Sequence, residues 1–178
     1  AVFCVETKDA GRTFDFVNWI GQMPPIMKGR HWYCVQPSTV RIDEETFVSS
    51  VRQRRAGKKW IDTFISRDGC RSWELLSTPV PVNSWNPPSV VRLRDGRLLL
   101  GYGYRLKPQA IKAMISNDNG KTWSDEIVLL EDGLSWDLGY VRSVQRSDGK
   151  VVSVYYWSNE QRPQQHIAAT IWDPAKYK

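Results

Sequence analysis

Residues 116–123 of the sequence are Ser-Asn-Asp-Asn-Gly-Lys-Thr-Trp, and two other segments follow the same pattern. Those segments are Thr7–Phe14 (TKDAGRTF) and Ser66–Trp73 (SRDGCRSW), and the three starts are 59 and 50 residues apart. The Asp in third place can accept hydrogen bonds from backbone N–H groups of a tight hairpin, and a Gly in fifth place can take the left-handed conformation. The pattern therefore predicts three copies of one turn, each between two β-strands.

A second repeat runs out of phase with these turns. Its copies are Pro37–Arg54, Pro88–Arg105 and Val141–Ser158, which start 51 and 53 residues apart. Each copy is a hydrophobic stretch, a turn and a second hydrophobic stretch, and Asp-Gly pairs occupy the turn at 95–96 and 148–149. Asp-Gly favours a tight hairpin because Gly accepts a positive φ. Each copy is therefore predicted to be a pair of antiparallel strands.

Together the two repeats predict an all-β chain. One unit of roughly 50 residues holds the paired strands, a third strand, the Asp-containing turn and a fourth strand, and four such antiparallel strands form one blade of a β-propeller. We predict about three blades, since each repeat recurs three times. The predicted divisions are 1–35 (the end of one blade and a connection), 36–86 (a blade), 87–139 (a blade) and 140–178 (a last, incomplete blade).

The turn pattern resembles the Asp box, or BNR repeat, of sialidases and related propellers. Ser116–Trp123 matches it at every position, whereas the first copy has Phe14 for Trp and the second has Cys70 in the Gly place. The resemblance implies half of a six-bladed propeller, and it implies that the box residues support the fold rather than act in catalysis. These structural residues are Asp9, Gly11, Asp68, Trp73, Ser116, Asp118, Gly120 and Trp123.

The length of 178 residues is short for a closed wheel, because closed propellers have about four to eight blades. Two explanations stay open: the chain is the C-terminal half of a longer protein, or two copies close the wheel as a homodimer. The first residues, AVFCVE, read like a strand entered partway and lack an initiator Met. We therefore do not expect Ala1 to mark the translation start, and the cellular location stays open.

The resemblance extends to the last predicted blade. In catalytic sialidases a Tyr opens the inner strand of this blade, eight residues before the Asp-Gly turn, and acts as the nucleophile; Tyr140 has that place here. The resemblance also implies a Glu two blades earlier as general base, but this sequence has Gln36 there, and Gln cannot take a proton at neutral pH. The Arg that follows sixteen residues later and binds the substrate carboxylate is matched by Arg52.

Three further arginines are candidates for binding an acidic sugar. Arg54 shares a strand face with Arg52, because alternate residues of a strand point to the same side, and Arg105 is the repeat equivalent of Arg54. Arg142 follows Tyr140 by two residues. An Arg pair can grip a carboxylate in a bidentate manner, whereas the plainer explanation is a set of surface residues at strand ends.

Other polar and aromatic residues are weaker candidates. Trp85 and Asn86 precede a blade and could stack on a sugar or pack within a loop, and Asp62 lies mid-strand, where it could pair with a basic neighbour. The two histidines, His31 and His166, have no partner pattern for a catalytic triad or a metal site. Ordinary polar roles are expected for both.

Composition limits the remaining possibilities. The chain has 25 Lys and Arg against 19 Asp and Glu, a formal charge of +6, but no nucleic-acid-binding signature accompanies this charge. No apolar run approaches the roughly 18 residues that cross a membrane. The three cysteines, Cys4, Cys34 and Cys70, lack metal-ligand spacing, so we predict free thiols, no metal and no cofactor.

The sequence therefore predicts a sialidase-like glycoside hydrolase, or part of one, that acts on an acidic glycan at the propeller mouth. In this prediction Arg52 and Arg105 hold a carboxylate, and Tyr140 is the nucleophile or lines the site. The alternatives are a non-catalytic propeller that binds carbohydrate or protein, and a half-propeller that is inactive until it assembles. Gln36 favours these alternatives, because it cannot act as the base that a Tyr nucleophile needs.

Overall fold

The computed structural model describes residues 1–21, 33–81 and 87–177. In these ranges the chain forms thirteen β-strands and one turn of 3₁₀ helix at Pro174–Lys176. The strands are β1 (Val2–Glu6), β2 (Asp15–Ile20), β3 (Tyr33–Arg41), β4 (Phe47–Arg55), β5 (Lys58–Ser66), β6 (Glu74–Val80), β7 (Ser89–Arg92), β8 (Leu98–Tyr104), β9 (Ala110–Ser116), β10 (Ile127–Leu130), β11 (Gly139–Gln145), β12 (Val151–Trp157) and β13 (His166–Trp172).

These strands form four antiparallel sheets, each a simple meander along the chain. The first sheet has β1 and β2, the second has β3 to β6, the third has β7 to β10 and the fourth has β11 to β13. Consecutive antiparallel strands joined by tight turns, repeated sheet after sheet, are the architecture of propeller blades. The prediction of an all-β chain built from about three propeller blades is confirmed.

Two sheets begin slightly before the predicted divisions. The second sheet starts at Tyr33 rather than at residue 36, and the fourth starts at Gly139 rather than at residue 140. In both places the pairing of the first strand with the second shifts register, between Val35 and Ser38 and between Gly139 and Arg142. A β-bulge therefore interrupts each strand, and residues that the repeat placed at a strand start lie inside the bulge.

The core lies between the sheets rather than within any one of them. Val51 and Phe64 of the second sheet pack with Val2 of the first, and Ile61 of the second sheet belongs to a cluster with Tyr102 of the third. The central strands β4, β5, β8 and β9 are buried along almost their whole length. The strands β8 and β9 are accordingly mostly hydrophobic, whereas β4 and β5 also bury polar residues such as Ser49, Arg52 and Asp62.

The three Asp-containing turns share one hydrogen-bond pattern. In the turn between β9 and β10, Asp118 accepts from the Ser116 hydroxyl (2.8 Å), the Thr122 backbone N–H (2.9 Å) and the Thr122 hydroxyl (2.6 Å). Asp9 and Asp68 accept the equivalent bonds in the other two turns. Burial alone would raise the pKa of Asp118, but the bonds from Thr122 and Ser116 outweigh it and lower the pKa. Each turn is therefore organised around an ionised carboxylate.

We expect Asp118→Ala to lower the free energy of unfolding by about 2–3 kcal/mol, because it removes three hydrogen bonds to a charged acceptor. Chemical denaturation followed by circular dichroism measures this loss. The matched control is Asp125→Ala, since Asp125 is exposed on the same connection and its side chain has no hydrogen bond within the described residues. The control should change stability by less than about 0.5 kcal/mol, and an equal loss in both variants would contradict this role for Asp118.

Within the described ranges no helix has the length and apolar character needed to cross a membrane.

Candidate functional site

The ends of several strands meet at one rim of the stacked sheets. Because neighbouring strands are antiparallel, the starts of β3 and β11 lie at the same rim as the ends of β4, β8 and β12. We call this the site rim. The turn of Ser66–Trp73 and the turn of Ser116–Trp123 follow β5 and β9, so they lie at the opposite rim. The structural turns and the candidate site residues are thus separated by the length of a strand.

Gln36 and Tyr140 occupy equivalent bulges at the site rim, and their side chains meet. Both residues have left-handed backbone conformations, with φ of 55° and 53°. Such angles are uncommon for residues other than Gly and cost free energy that the surroundings must supply. The Gln36 Nε2 group donates to the Tyr140 hydroxyl at 3.3 Å, across 104 residues of sequence. The two strained residues therefore build one contact between the second and fourth sheets.

The orientation of the Gln36 amide is set by Arg52. The Arg52 Nη1 group donates to Gln36 Oε1 at 2.8 Å, and a guanidinium has only donors to offer. The amide oxygen must therefore face Arg52, which leaves the amide nitrogen to donate to Tyr140. In this arrangement the Tyr140 hydroxyl accepts a hydrogen bond from Gln36, and Gln36 offers it no group that can take up its proton.

Arg52 and Arg54 share one aromatic ring. Their guanidinium carbons lie 5.4 Å and 5.6 Å from the centre of the Tyr33 ring, and Arg52 Nη2 also donates to the Tyr33 hydroxyl at 3.1 Å. Arg52 is only 9% exposed. Among the described residues, neither arginine forms an ion pair, and the Nε–H of each is buried without an acceptor.

A third cation lies beside this pair. Lys59 of β5 is the register partner of Arg54 in β4 and is buried. Its burial, followed by the positive charges of Arg54 and Arg52, lowers the pKa of Lys59 to about 8. At neutral pH most of the molecules still carry a charged Lys59. The site rim therefore concentrates three positive groups in a partly dehydrated place.

Arg105 is held differently from the other arginines. It donates to the Leu138 carbonyl (3.0 Å) and the Tyr156 hydroxyl (3.0 Å), and it lies 3.7 Å from Asp137. Tyr156 in turn donates to Asp137 at 2.5 Å, and Gln165 donates to the same carboxylate at 3.0 Å. The bond from Tyr156 is the main reason that the pKa of Asp137 is lowered. Arg105 thus already has an anionic partner, which Arg52 and Arg54 lack within the described ranges.

Aromatic rings join the residues around Arg52 to the residues around Arg105. The ring centres of Tyr140 and Tyr156 are 5.8 Å apart, and burial, with the hydrogen bond to Asp137, raises the pKa of Tyr156 to about 12. Tyr140 is 43% exposed and Trp136 is 58% exposed. The Arg105 guanidinium lies 5.3 Å from the centre of the Trp136 ring. The site rim therefore presents exposed aromatic faces next to its cationic cluster.

The remaining candidates lie apart from these contacts or outside the described residues. Arg142 is exposed and donates to the Val141 carbonyl, and Asp62 accepts hydrogen bonds from Trp60 and Thr78 rather than from a cation. Burial raises the pKa of Asp62. His166 contacts the Gln164 carbonyl at 3.1 Å. Three further candidates, His31, Trp85 and Asn86, fall outside the ranges that the structure describes.

Sequence reasoning brought Tyr140, Gln36, Arg52 and Arg54 together, but it missed Tyr33. Tyr33 is the register partner of Arg54, and the bulge after Val35 brings Gln36, three residues later, to Arg52 as well. It also missed Asp137 and Tyr156, which hold Arg105. The only available signal was the polar segment Trp136-Asp137 directly before the predicted blade. This segment does not indicate that Asp137 lies next to Arg105.

A cavity of about 730 Å³ lies among the connections at the site rim. It is bordered by the connections that follow β8, β10 and β12, which also carry Arg105, Asp137 and Gln165. Trp157 and Asn159 hold the two oxygens of Asp132 in its wall, at 2.8 Å and 2.7 Å. The polar lining consists of Lys107, Gln109, Asp132, Asn159, Glu160 and Gln161.

Metal chemistry finds no support among the side chains that the structure describes. Those ranges hold no group of three or more His, Cys, Asp and Glu residues that could bind a metal ion. What the site rim offers is hydrogen-bond donors with positive charge, a phenol at Tyr140 and open aromatic faces. Such a set can bind an anion and place a polyhydroxylated ring against it.

The stacked antiparallel sheets, two of them with four strands, and the polar rim define part of a β-propeller with a candidate ligand site at one rim. The sequence-family model of the BNR repeat-like domain matches residues 1–152. The chain therefore belongs to this family. The resemblance to sialidase-like propellers with BNR repeats is thereby confirmed. No curated protein matches the chain.

Solved structures show the same fold. A protein of unknown function from Dyadobacter fermentans has 29% identity and a TM-score of 0.75, over 96% of this chain and 45% of that one. An α-L-arabinofuranosidase from Fusarium graminearum, solved with an iminosugar inhibitor, has 16% identity and a TM-score of 0.65, over 93% of this chain and 52% of that one. A sialidase from Streptococcus pneumoniae has 13% identity and a TM-score of 0.62, over 98% and 27%. The chain thus spans about half the length, or less, of these three proteins.

Proposed function

We propose that this chain is part of a carbohydrate-active propeller and that its site rim binds the carboxylate of an acidic sugar. The observation that carries the proposal is the pair Arg52 and Arg54 around Tyr33, without a carboxylate partner among the described residues. Burying a charge is costly unless the charge is paired. A bound anion would supply that pairing, and the guanidinium fork matches the two oxygens of a carboxylate.

The surroundings of the arginine pair suit a sugar ring. Tyr140 and Trp136 expose aromatic surface near the cations, and small-molecule sites combine such surfaces with a few placed polar groups. A cavity of about 730 Å³ among the connections at the same rim has room for further sugar residues of a glycan. The names of similar structures, an arabinofuranosidase and a sialidase, also support carbohydrate as the ligand class.

A second candidate function is glycoside hydrolysis with Tyr140 as the nucleophile, and the Gln36–Tyr140 contact at 3.3 Å supports it. The sialidase resemblance implies a proton acceptor at the position of Gln36. The present amide instead donates to the phenol, which favours binding over turnover for the chain as it stands. The remainder of the propeller would come from a longer protein or from a second copy, and the activity of that whole assembly is part of the proposal.

Titration with an acidic sugar tests the proposed function. We expect N-acetylneuraminic acid or D-glucuronic acid to bind the chain in isothermal titration calorimetry, and the methyl ester of each to bind at least about tenfold more weakly, because esterification removes only the charge. The affinity should be constant between about pH 5 and 7, where the sugar carboxylate is ionised, and should fall as the pH rises through 8. The sign follows from Lys59, whose pKa of about 8 means that it loses its positive charge over this interval.

The control for the pH profile is Lys59→Met, which keeps the apolar stem and removes the titrating group. This variant should bind the acid more weakly, and its affinity should no longer change between pH 7 and about pH 9. Equal affinities for acid and ester would refute the proposed function. A pH profile that survives in Lys59→Met would leave the carboxylate assignment standing and remove Lys59 from the site.

A further inference from the structure

The cavity of about 730 Å³ at the site rim has a lining that differs in chemistry from the arginine pair. Its walls are the connections that follow β8, β10 and β12. Small-molecule pockets have volumes of about 300–1,000 Å³, so this one has room for a sugar ring. The charged lining residues are Lys107, Asp132 and Glu160, which leaves the lining with a net negative charge. A second carboxylate is therefore disfavoured there.

The Asp132 carboxylate is held at both of its oxygens. Trp157 Nε1 donates to Oδ1 at 2.8 Å, and Asn159 Nδ2 donates to Oδ2 at 2.7 Å. The Asn159 amide is itself fixed, because its Oδ1 accepts from the Arg162 backbone N–H at 2.9 Å. A carboxylate oxygen has two lone-pair sites, so each oxygen of Asp132 keeps one acceptor site. Asp132 forms no ion pair within the described ranges, and it thus offers two fixed acceptors side by side.

Close packing and a backbone hydrogen bond fix the walls of the cavity. Gly133 lies against two neighbouring side chains, since a Cβ atom there would come within 2.7 Å of Gln109 Cβ and 3.1 Å of the Trp157 ring. The Leu134 N–H donates to the Ser158 carbonyl at 3.0 Å, which ties the connection after β10 to the connection after β12. The walls are therefore in place before a ligand arrives, and binding would need little rearrangement.

Three further polar side chains can bind a ligand without giving up a partner. Lys107, Gln109 and Gln161 line the cavity, and none of these side chains has a hydrogen bond or ion pair in the part of the chain that the structure describes. Lys supplies donors, and the Gln amides supply both donors and acceptors. Leu134 is 49% exposed in the same wall. It gives the apolar C–H face of a ring a surface to pack on.

We propose that this cavity binds a neutral sugar residue, with two adjacent hydroxyls of the sugar donating to the two oxygens of Asp132 and a third contact from Gln161. A hydroxyl donates one hydrogen bond and accepts two, so it pairs with a fixed carboxylate and keeps its lone pairs for Lys107 and the amides. A neutral ring satisfies these groups without a second negative charge. The inference rests on the proposed function for the choice of a glycan, and it extends the ligand from the acidic sugar at the arginine pair to a neutral sugar at this cavity.

NMR titration of the isotope-labelled chain with methyl β-D-galactopyranoside and with methyl β-D-xylopyranoside tests the site. We expect one or both to bind with a Kd in the millimolar range and to shift the indole N–H signal of Trp157, since that group donates to Asp132. The fully O-methylated form of each sugar is the ligand control, because it keeps the ring and lacks hydroxyl donors. An unchanged Trp157 signal with both free sugars, or an equal shift with the methylated ones, would overturn the proposal.

Asp132→Asn should weaken the binding of the neutral sugar by at least about tenfold, because it removes the charge and turns one acceptor into a donor. A matched pair of variants leaves the hydrogen bonds of the wall intact. Gln161 and Gln164 are both exposed on the connection after β12, and only Gln161 lines the cavity. Gln161→Ala should weaken binding by at least about threefold, and Gln164→Ala by less than about 1.5-fold. Equal affinities in these two variants would place the sugar outside the cavity and overturn the proposal.

The two proposals for the site rim fail separately. N-acetylneuraminic acid should bind Asp132→Asn within about threefold of its affinity for the parent, because the substitution leaves the arginine pair unchanged. Binding of the acid by a chain that binds neither neutral sugar would overturn the cavity site and leave the proposed function standing. Binding of a neutral sugar with the expected Trp157 shift, by a chain that does not distinguish acid from ester, would support the cavity site and refute the proposed function.

Discussion

Replacing Arg52 by Met is expected to weaken the binding of an acidic sugar by at least about 100-fold. A charged hydrogen bond contributes about 1.5–3 kcal/mol, and two such bonds to a carboxylate correspond to this loss of affinity or more. Met has a similar apolar stem, so the space next to Tyr33 stays filled. Calorimetric titration of the variant with the acidic sugar measures the effect.

The control for this prediction is the same substitution at Arg142. Arg142 is exposed, and its described hydrogen bond goes to the Val141 carbonyl. Arg142→Met should therefore alter the affinity by less than about threefold. Arg52→Met also removes the hydrogen bonds to Gln36 and Tyr33, so its melting temperature should fall by a few degrees, and both variants are titrated at about 25 °C, where they stay folded. Equal losses of affinity in the two variants would remove Arg52 from the site.

The fold could be predicted from the sequence because its determinants are local and repeated. Each Asp-containing turn is organised by a carboxylate that accepts bonds from residues two and four positions away, and such spacing is visible in the sequence. The alternation of turns and hydrophobic stretches then gives the strand order without any knowledge of long-range contacts. The exact first residues of β3 and β11 could not be predicted, because the bulges that contain Gln36 and Tyr140 shift the pairing of these strands.

For the site, the sequence could predict only which residues occupy equivalent positions in the repeats. That register placed Gln36 and Tyr140 at equivalent positions in different blades, and the structure brings their side chains into contact. The hydrogen-bond and ion-pair partners of each polar side chain depend on how the sheets pack against each other. Asp137 lies beside Arg105, and no pattern in the sequence distinguishes that arginine from Arg52. Whether an arginine has an anionic partner could therefore be learned only from the structure.

The strain at Gln36 and Tyr140 gives the site rim a fixed geometry. Two residues with left-handed backbones would each relax if their side chains had no partners. The chain from Arg52 through the Gln36 amide to the Tyr140 hydroxyl keeps both in place. Because the amide is a donor toward Tyr140 and an acceptor toward Arg52, a change of its chemistry alters both neighbours at once. Gln36 is thus the residue at which the two candidate functions can be distinguished.

Gln36→Glu is expected to weaken the binding of the acidic sugar by at least about tenfold. The new carboxylate would lie within hydrogen-bonding distance of the Arg52 guanidinium, now 2.8 Å from Gln36 Oε1. It would pair with the positive charge of Arg52, which we propose binds the ligand carboxylate. Gln36→Met is the matched control, because it removes the same hydrogen bonds without adding a charge, and Gln36→Glu should bind the acid clearly more weakly than Gln36→Met does. Titration of both variants with the same acid measures the difference.

The same variant decides between the two candidate functions through a second measurement. A carboxylate at this position accepts a proton, so the Tyr140 hydroxyl would become a donor toward it and gain the general base that the amide does not provide. General bases contribute about 10²–10⁴-fold to rates. If Tyr140 is a nucleophile, hydrolysis of a fluorogenic sialoside should rise in Gln36→Glu by at least about 100-fold, and Tyr140→Phe in the same background should abolish the gain. Weakened binding without any rise in hydrolysis would leave binding as the function of the 178-residue chain by itself.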